Sequence, residues 1–324
     1  MVLFYSFLII PFLTFIRGFV IKNPLFVSSI ELSKPLSIET NILGFRGYPT
    51  SYQVQKAKTP NSKVAILFIH GFASSSYHWR YNLPAFSENY DTYAIDLIGF
   101  GTSAKPANLN YTVSLWSEQV TEFINCVIKK PCILVGNSLG SVISLHASTS
   151  PSLNNKIKGV IPINPVIISR SNPNIRVPQI FGWFSSKSII KGYFNIMKRR
   201  QSIRYFFNIL YPVFPENVDD LLIDSIENPS KHPNASDVFY GIVKENIMNP
   251  TVFIEDIVEN VSKDIPILLI YGTRDPWIPR CNIDYFLQLR PTTQILEVSA
   301  GHCPQDEIPE IINPIIESFM TNHK

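Results

Sequence analysis

Cysteine is scarce and unpatterned in this chain of 324 residues: Cys126, Cys132, Cys281 and Cys303 form no Cys-x-x-Cys pair and have no His-rich neighbourhood. Neither a disulfide framework nor a structural zinc site can be the basis of the fold, and four free thiols are expected. Charge is thin too, at 16% of residues with a formal net charge of +3, too small a surplus to imply nucleic-acid binding. Gly99 and Gly101 are not completed to Gly-x-Gly-x-x-Gly, so no nucleotide fingerprint is present. No internal repeat or low-complexity tract is visible. Apolar sequence is abundant, at 45% of residues, enough for one large α/β domain with an insertion or for two domains.

The N-terminus also lacks something. Val2 to Ile16 is an apolar run broken only by Ser6, Pro11 and Thr14, and no basic residue precedes it. Its fifteen residues are short for a membrane span of about 20 and fit a signal-peptide core better. From Arg17 to Ile38 come Arg17, Lys22, Lys34, four serines and one acid, Glu31, which is transit-peptide composition. A signal followed by a transit stretch predicts a plastid reached through the secretory route; a plain secretory signal or a membrane anchor are the alternatives. Residues 1–38 are therefore set apart from the fold.

Beyond them, strands and helices alternate. A hairpin is expected over Ile42–Lys56, with Gly44, Gly47 and Pro49 between short alternating segments. Val64–His70, Thr92–Leu97, Cys132–Val135, Gly159–Asn164, Ile265–Tyr271 and Gln294–Val298 read as strands, most of them continuously apolar and so buried on both faces of a parallel sheet. Helices are expected around Tyr77–Phe86 and over Ser114–Val127, the latter capped by Ser114 or its neighbour. Residues 165–255 break this rhythm and read as mostly helical. The prediction is an α/β fold, a doubly wound and mostly parallel sheet built from 39–164 and 256–324, with a helical cap at 165–255.

The chemistry gathers where strands end. Cys132-Ile133-Leu134-Val135 runs into Gly136-Asn137-Ser138-Leu139-Gly140, and the next residues read as a helix. In such a strand–turn–helix elbow a serine is pushed out on strained backbone at a helix N-terminus. Taken alone, the motif could equally be a serine in a loop. A serine hydroxyl needs a base, and the base a carboxylate to fix its tautomer. Asp275 follows the strand ending at Tyr271, and His302 follows the last strand, giving the order Ser138, Asp275, His302 that the α/β-hydrolase pattern requires. Separately, Asp275 reads as a turn residue and His302 as a satisfied histidine; together, at three strand ends, the three read as a triad. The amides of Leu139 and Phe72 are the expected oxyanion donors, the second made accessible by Gly71. His70 is read as positioning that loop, Asp96 as structural, and Asp306 and Glu307 as capping or charging the first turn of the last helix. This chemistry requires no metal or organic cofactor.

His70-Gly71-Phe72 with Trp79-Arg80, Asp96 through Ser103, Gly136 through Gly140, Asp275-Pro276-Trp277 and Ala300 through Glu307 resemble the plant, algal and cyanobacterial α/β-hydrolases that include pheophytinase and its chlorophyll-dephytylating relatives. The resemblance runs roughly from Gly44 to Asn322 and is weakest in the cap. It implies hydrolysis of a carboxylic ester, specifically the phytyl ester of a chlorophyll-type pigment. Ser141 departs from the pattern, where relatives usually carry a second glycine, and puts the close packing behind the elbow in question. Haloalkane dehalogenase and epoxide hydrolase readings are disfavoured, since those need an aspartate where Ser138 stands. A general lipase, carboxylesterase or carbon–carbon bond hydrolase remains the alternative enzyme, and a non-catalytic binding protein the alternative outside enzymes.

One further absence concerns partners. Residues 165–210 hold eight basic residues, Arg170, Arg176, Lys187, Lys191, Lys198, Arg199, Arg200 and Arg204, and no acid. They interleave with Ile167, Ile168, Phe181, Trp183, Phe184, Tyr193, Phe194, Met197, Phe206 and Phe207. That pattern predicts peripheral contact with an anionic membrane or a greasy tunnel with a cationic rim, the plain alternative being aromatics packed on the core beneath solvated lysines.

Overall fold

A tight turn opens the described chain: Arg46 and Gly47, with φ of 50° and 80°, supply the two positive values that a two-residue hairpin loop needs. They join β1 (Glu39–Phe45) to β2 (Tyr48–Gln55), paired antiparallel with Phe45 opposite Tyr48. The computed structural model describes residues 39–59, 62–173, 175 and 186–323. Residues 1–38, expected to be a targeting segment, and Arg176, Phe181, Trp183 and Phe184 of the expected cap lie outside them.

β3 (Ala65–Ile69) leads through a 3-10 turn at Ser76–Trp79 to α1 (Asn82–Phe86), β4 (Asp91–Ile95) and α2 (Val113–Phe123). Thr112 caps α2 by accepting from the Leu115 amide, so the cap lies two residues before Ser114, which stands inside the first turn; the Thr112 hydroxyl, not a residue adjoining Ser114, reaches the free amide. β5 (Cys132–Asn137), α3 (Leu139–Ala147) and β6 (Ile157–Ile163) follow. Among the described residues five α-helices then intervene: α4 (Lys187–Met197), α5 (Arg200–Leu210), α6 (Asp220–Ser230), α7 (Ala235–Val243) and α8 (Ile254–Asn260). β7 (Leu268–Gly272), α9 (Arg280–Leu289), β8 (Gln294–Val298), α10 (Pro304–Glu307) and α11 (Pro309–Asn322) complete the chain. β7 begins later than the apolar run at Ile265, because Pro266 has no amide to give the ladder; its carbonyl still accepts from Val160 at 3.0 Å.

The strands form one eight-stranded sheet in the order β1-β2-β4-β3-β5-β6-β7-β8, parallel from β4 onward. Alternate residues feed two cores. Leu67 and Leu134 meet Trp116, Val142 and Phe286 from α2, α3 and α9, while Phe68 and Val135 meet Trp79, Leu83 and Ile312 from the α1 and α11 side. Burial on both faces explains why these strands are apolar without alternation.

Most of the described cap cations are paired with acids further along the chain. Arg170 pairs with Asp256, Lys187 and Lys191 with Asp237, Arg200 with Asp220, Asp224 and Glu227, and Arg204 with Asp220. The acids missing from residues 165–210 come from α6, α7 and α8, further along the chain, so the basic stretch is largely neutralised within the cap. Lys198 and Arg199 have no acidic partner among the described residues, and Lys198 stands 5.7 Å from the centre of the Phe194 ring. On α5, Ile203, Phe207 and Leu210 share one face and pack with Tyr211, Leu222 and Cys303, which seats the cap beside His302.

Candidate active site

β3 has β4 on one side and β5 on the other, so the chain leaves it in both directions and opens a crevice at the strand ends. Ser138 sits there, between β5 and α3, with φ 55° and ψ −114°. That backbone costs a non-glycine residue on the order of 1–3 kcal/mol and persists because its surroundings dictate it. The Ser138 amide donates to Ile163 O at 2.9 Å. A Cβ on Gly136 would lie 2.2 Å from Gly140 O, and one on Gly140 2.1 Å from Ile69 O, so strand and helix approach as only glycine allows. Ser141, the departure from the family pattern, fits without loosening this contact. Its buried hydroxyl lies 2.7 Å from Gly136 O and 3.0 Å from Ile163 O, and accepts from the Ile163 amide at 3.0 Å.

Asp275 and His302 are brought together, Asp275 Oδ2 lying 2.7 Å from His302 Nδ1. Asp275 Oδ1 accepts from the Trp277 and Ile278 amides at 2.7 and 3.1 Å, which orients the carboxylate and directs Oδ2 at the imidazole. With a proton on Nδ1, Nε2 is left as the basic nitrogen. The Asn137 side-chain amide donates to His302 O at 2.9 Å, holding the histidine loop to the residue before Ser138. Ser138 joins the pair through this bridge, its hydroxyl making no direct hydrogen bond to the imidazole; such bonds commonly tighten only around substrate.

The oxyanion candidates adjoin the same serine. A Cβ on Gly71 would lie 3.2 Å from Ser138 Cβ, so the loop carrying Phe72 abuts the elbow. Among the described residues, neither the Phe72 nor the Leu139 amide donates to another group. His70 shapes this loop, as expected: Nδ1 donates to Gly71 O at 2.7 Å and Nε2 accepts from the Leu97 amide at 3.1 Å, while burial lowers its pKa and keeps it neutral. Asp96 is structural, accepting from the Ser76 and Thr102 amides, each at 2.7 Å. All four cysteines are free. Burial pushes the Cys132 thiol up to about 12 and raises that of Cys303, so neither presents a nucleophilic thiolate at neutral pH.

Asp306 and Glu307 do more than charge a helix turn. Both are buried in α10, with carboxylates turned inward. Asp306 accepts from Arg80 Nε at 2.8 Å and from the Tyr211 hydroxyl at 2.8 Å. Arg80 also grips Asp219, the N-cap of α6, through both carboxylate oxygens, and Asn217 O at 2.8 Å. Glu307 accepts from the Gly301 amide beside His302 and from Val213 of the cap at 2.7 Å. Sequence reading missed this frame, whose local signal was a pair of acids four and five residues after the histidine.

His78 belongs to it as well, its Nε2 lying 2.7 Å from the Tyr211 hydroxyl and its Nδ1 3.0 Å from Ser74 Oγ. Because the Tyr211 hydroxyl gives its proton to Asp306, His78 Nε2 donates and Nδ1 accepts. Burial, with the charge of Arg80, lowers the His78 pKa to about 3. The unfolded chain protonates first, near 6.5, so the stability gained by burying neutral His78 is fully present above that pH and is lost as pH falls toward 3. At about 1.4 kcal/mol per unit the loss amounts to several kcal/mol. His78→Gln, which cannot titrate, is expected to flatten the slope of urea-unfolding free energy between pH 6.5 and 4; an unchanged slope would place the acid sensitivity elsewhere.

Aromatic rings from core and cap line both sides of the site. On the oxyanion side Phe72 meets Phe100 at 6.0 Å and Phe239 of α7 at 5.9 Å, and Phe239 meets Phe194 of α4 at 5.1 Å. On the base side the Trp277 ring lies 4.9 Å from His302 and 5.3 Å from Phe206 of α5. Among the described residues no group of three or more His, Cys, Asp or Glu could hold a metal ion.

Sheet order, elbow and loop geometry define a member of one fold family, and residues 64–309 match its model: the chain belongs to the alpha/beta hydrolase fold family. It is 27% identical over 299 residues to the chloroplastic pheophytinase of Arabidopsis thaliana, a distant resemblance covering 79% of this chain and 61% of that protein. It is 24% identical over 279 residues to epoxide hydrolase 3 of Xenopus tropicalis, covering 79% of this chain and 71% of that one. Among solved structures, a membrane phospholipase A described as a bacterial virulence factor superposes with a TM-score of 0.71 at 18% identity, over 88% of this chain and 86% of its own. That last likeness is one of fold.

Proposed function

We propose that this hydrolase is a serine carboxylic ester hydrolase with Ser138 as nucleophile, His302 as base, Asp275 as its orienting carboxylate, and the Phe72 and Leu139 amides as oxyanion donors. The observation that carries this is the joint placement of a strained Ser138, an imidazole 2.7 Å from a fixed carboxylate, and two unengaged amides at one sheet end. His302 Nε2 would take the hydroxyl proton as Oγ attacks the ester carbonyl and return it to the departing alcohol; water then reverses the step on the acyl-enzyme. The elbow holds serine and not aspartate, which favours ester cleavage over epoxide opening.

The substrate reading is a large hydrophobic ester, the phytyl ester of a chlorophyll-type pigment. It is supported by the aromatic rings on both sides of the site and by the similarity to pheophytinase. The test sets pheophytin and chlorophyll beside long-chain lipids and short p-nitrophenyl esters. Loss of phytol from pheophytin at kcat/KM well above that of the lipids is expected, and preference for the lipids would favour the general lipase reading.

Peripheral membrane contact belongs to the same proposal, with its basis shifted from charge to apolar surface. Ile189, Ile196, Tyr205, Ile209 and Leu221 are exposed on α4, α5 and α6, and among the described residues no helix is long and apolar enough to cross a membrane. With most cap cations already paired, liposome co-sedimentation is expected to survive 1 M salt, where the Debye length falls to about 3 Å, and to be lost when Ile189, Ile196 and Ile209 become serine. Binding abolished by salt alone would restore the electrostatic account. The proposed destination is the plastid; a fusion of residues 1–38 to a fluorescent protein tests it, and secretion of the fusion would refute it.

A further inference from the structure

β6 ends at Ile163, and the next residue, Asn164, is fully buried with φ 45°, a backbone that asparagine tolerates better than most side chains. Its side chain reaches both loops of the candidate site. Oδ1 accepts from the Gly272 amide at 2.8 Å, at the end of the strand that delivers Asp275. Nδ2 lies 2.9 Å from Gly301 O and 3.1 Å from His302 O. The backbone holds these loops together only part of the way: Thr273 donates to Val298 O at 2.8 Å and Arg274 to Ala300 O at 3.0 Å. Asn164 continues the connection at Gly301 and His302. The His302 carbonyl therefore takes amide donors from Asn137 at the nucleophile elbow and from Asn164 at the end of β6.

We infer that Asn164 is a positioning residue, a neutral amide that ties the acid-bearing and base-bearing loops together so that His302 meets Asp275 in register with Ser138. Only an amide suits the place. A carboxylate would set negative charge against two carbonyl oxygens, and an apolar isostere would leave the buried Gly272 N–H without a partner. Displacing a catalytic group by about 1 Å can cost on the order of 10²-fold in rate. The inference rests on the serine-hydrolase reading above.

Asn164→Gly is the informative variant, since glycine accepts the positive φ and the change removes only the amide's contacts. Active sites are counted by fluorophosphonate titration, and kcat and KM on a p-nitrophenyl ester are taken per titrated site. The expected result is a roughly 10- to 100-fold fall in kcat with KM within about twofold. Asn164→Asp keeps the acceptor for Gly272 but not the donors; it is expected to show the same losses and stands in if the glycine variant does not fold. A merely structural role would lower the number of titratable sites and leave kcat and KM per site where they are, and that result overturns the inference, as would failure of both variants to fold. A parent protein that takes up no probe sinks the serine-hydrolase reading itself, whereas a parent that labels beside variants matching it sinks this inference alone.

Discussion

Ser138→Ala is expected to reduce ester hydrolysis to the residual level that binding and two oxyanion donors can give, orders of magnitude below the parent, with KM little changed. His302→Ala should do nearly the same, because the hydroxyl then has no base. The two losses should not add, since nucleophile and base act as one unit. Asp275→Asn is instructive because of how this carboxylate is held. Its Oδ1 already accepts two backbone amides, so an asparagine would keep its oxygen there and turn its NH₂ toward His302 Nδ1. The imidazole would then carry its proton on Nε2 and could not act as base. Loss in kcat should approach the roughly 10⁴-fold known for the equivalent change in a serine protease. Near-parental kcat in any of the three variants would refute that residue's role.

Gly140→Ala is expected to be among the most damaging single methyl additions at the elbow. The added carbon would sit 2.1 Å from Ile69 O and 2.6 Å from His70 O, both backbone atoms of the β3 end, so no side-chain rotation relieves it. Either α3 lifts from the sheet or β3 moves, and each displaces Ser138 from the loop of Phe72. Overpacking with no soft neighbour should cost roughly 3 kcal/mol or more, lowering Tm by something like 6–12 °C and emptying the active-site titration even where the protein stays folded. Ser144→Ala, on the same helix, removes only a hydroxyl bonded within the helix at 2.7 Å to Gly140 O and should be mild by comparison. Equal stability of Gly140→Ala and the parent would mean that the strand and helix do not approach as described.

What the sequence makes legible is local. Each proposed catalytic residue follows within four positions of a strand end, where an elbow motif, a turn acid and a terminal histidine are recognisable. Interactions between distant residues are not legible in this way. Arg80 and Asp306 are separated by 226 positions, and His78 and Tyr211 by 133. Nothing near Asp306 in the chain shows that its carboxylate turns inward to a guanidinium, and a first-turn helix charge was the natural expectation. The ion pairs of the cap were hidden for the same reason: a window ending at residue 210 shows only cations, and the acids that pair with them stand on later helices. Asn164 looked like the last residue of one more strand, though a lone amide closing an apolar run at the end where site loops gather was a signal to be weighed. Ser141, an apparent misfit, is satisfied by a carbonyl and an amide of neighbouring strands that only the fold brings near.

The central claim, that Ser138 is the nucleophile activated by His302, is tested most directly by where a covalent probe lands. The protein is incubated with a fluorophosphonate, its intact mass is measured, and the modified peptide is sequenced. The account predicts one adduct per chain on Ser138, absent from Ser138→Ala and formed far more slowly in His302→Ala. An adduct on another residue, no adduct at all, or labelling of Ser138 at an undiminished rate without His302 would contradict it.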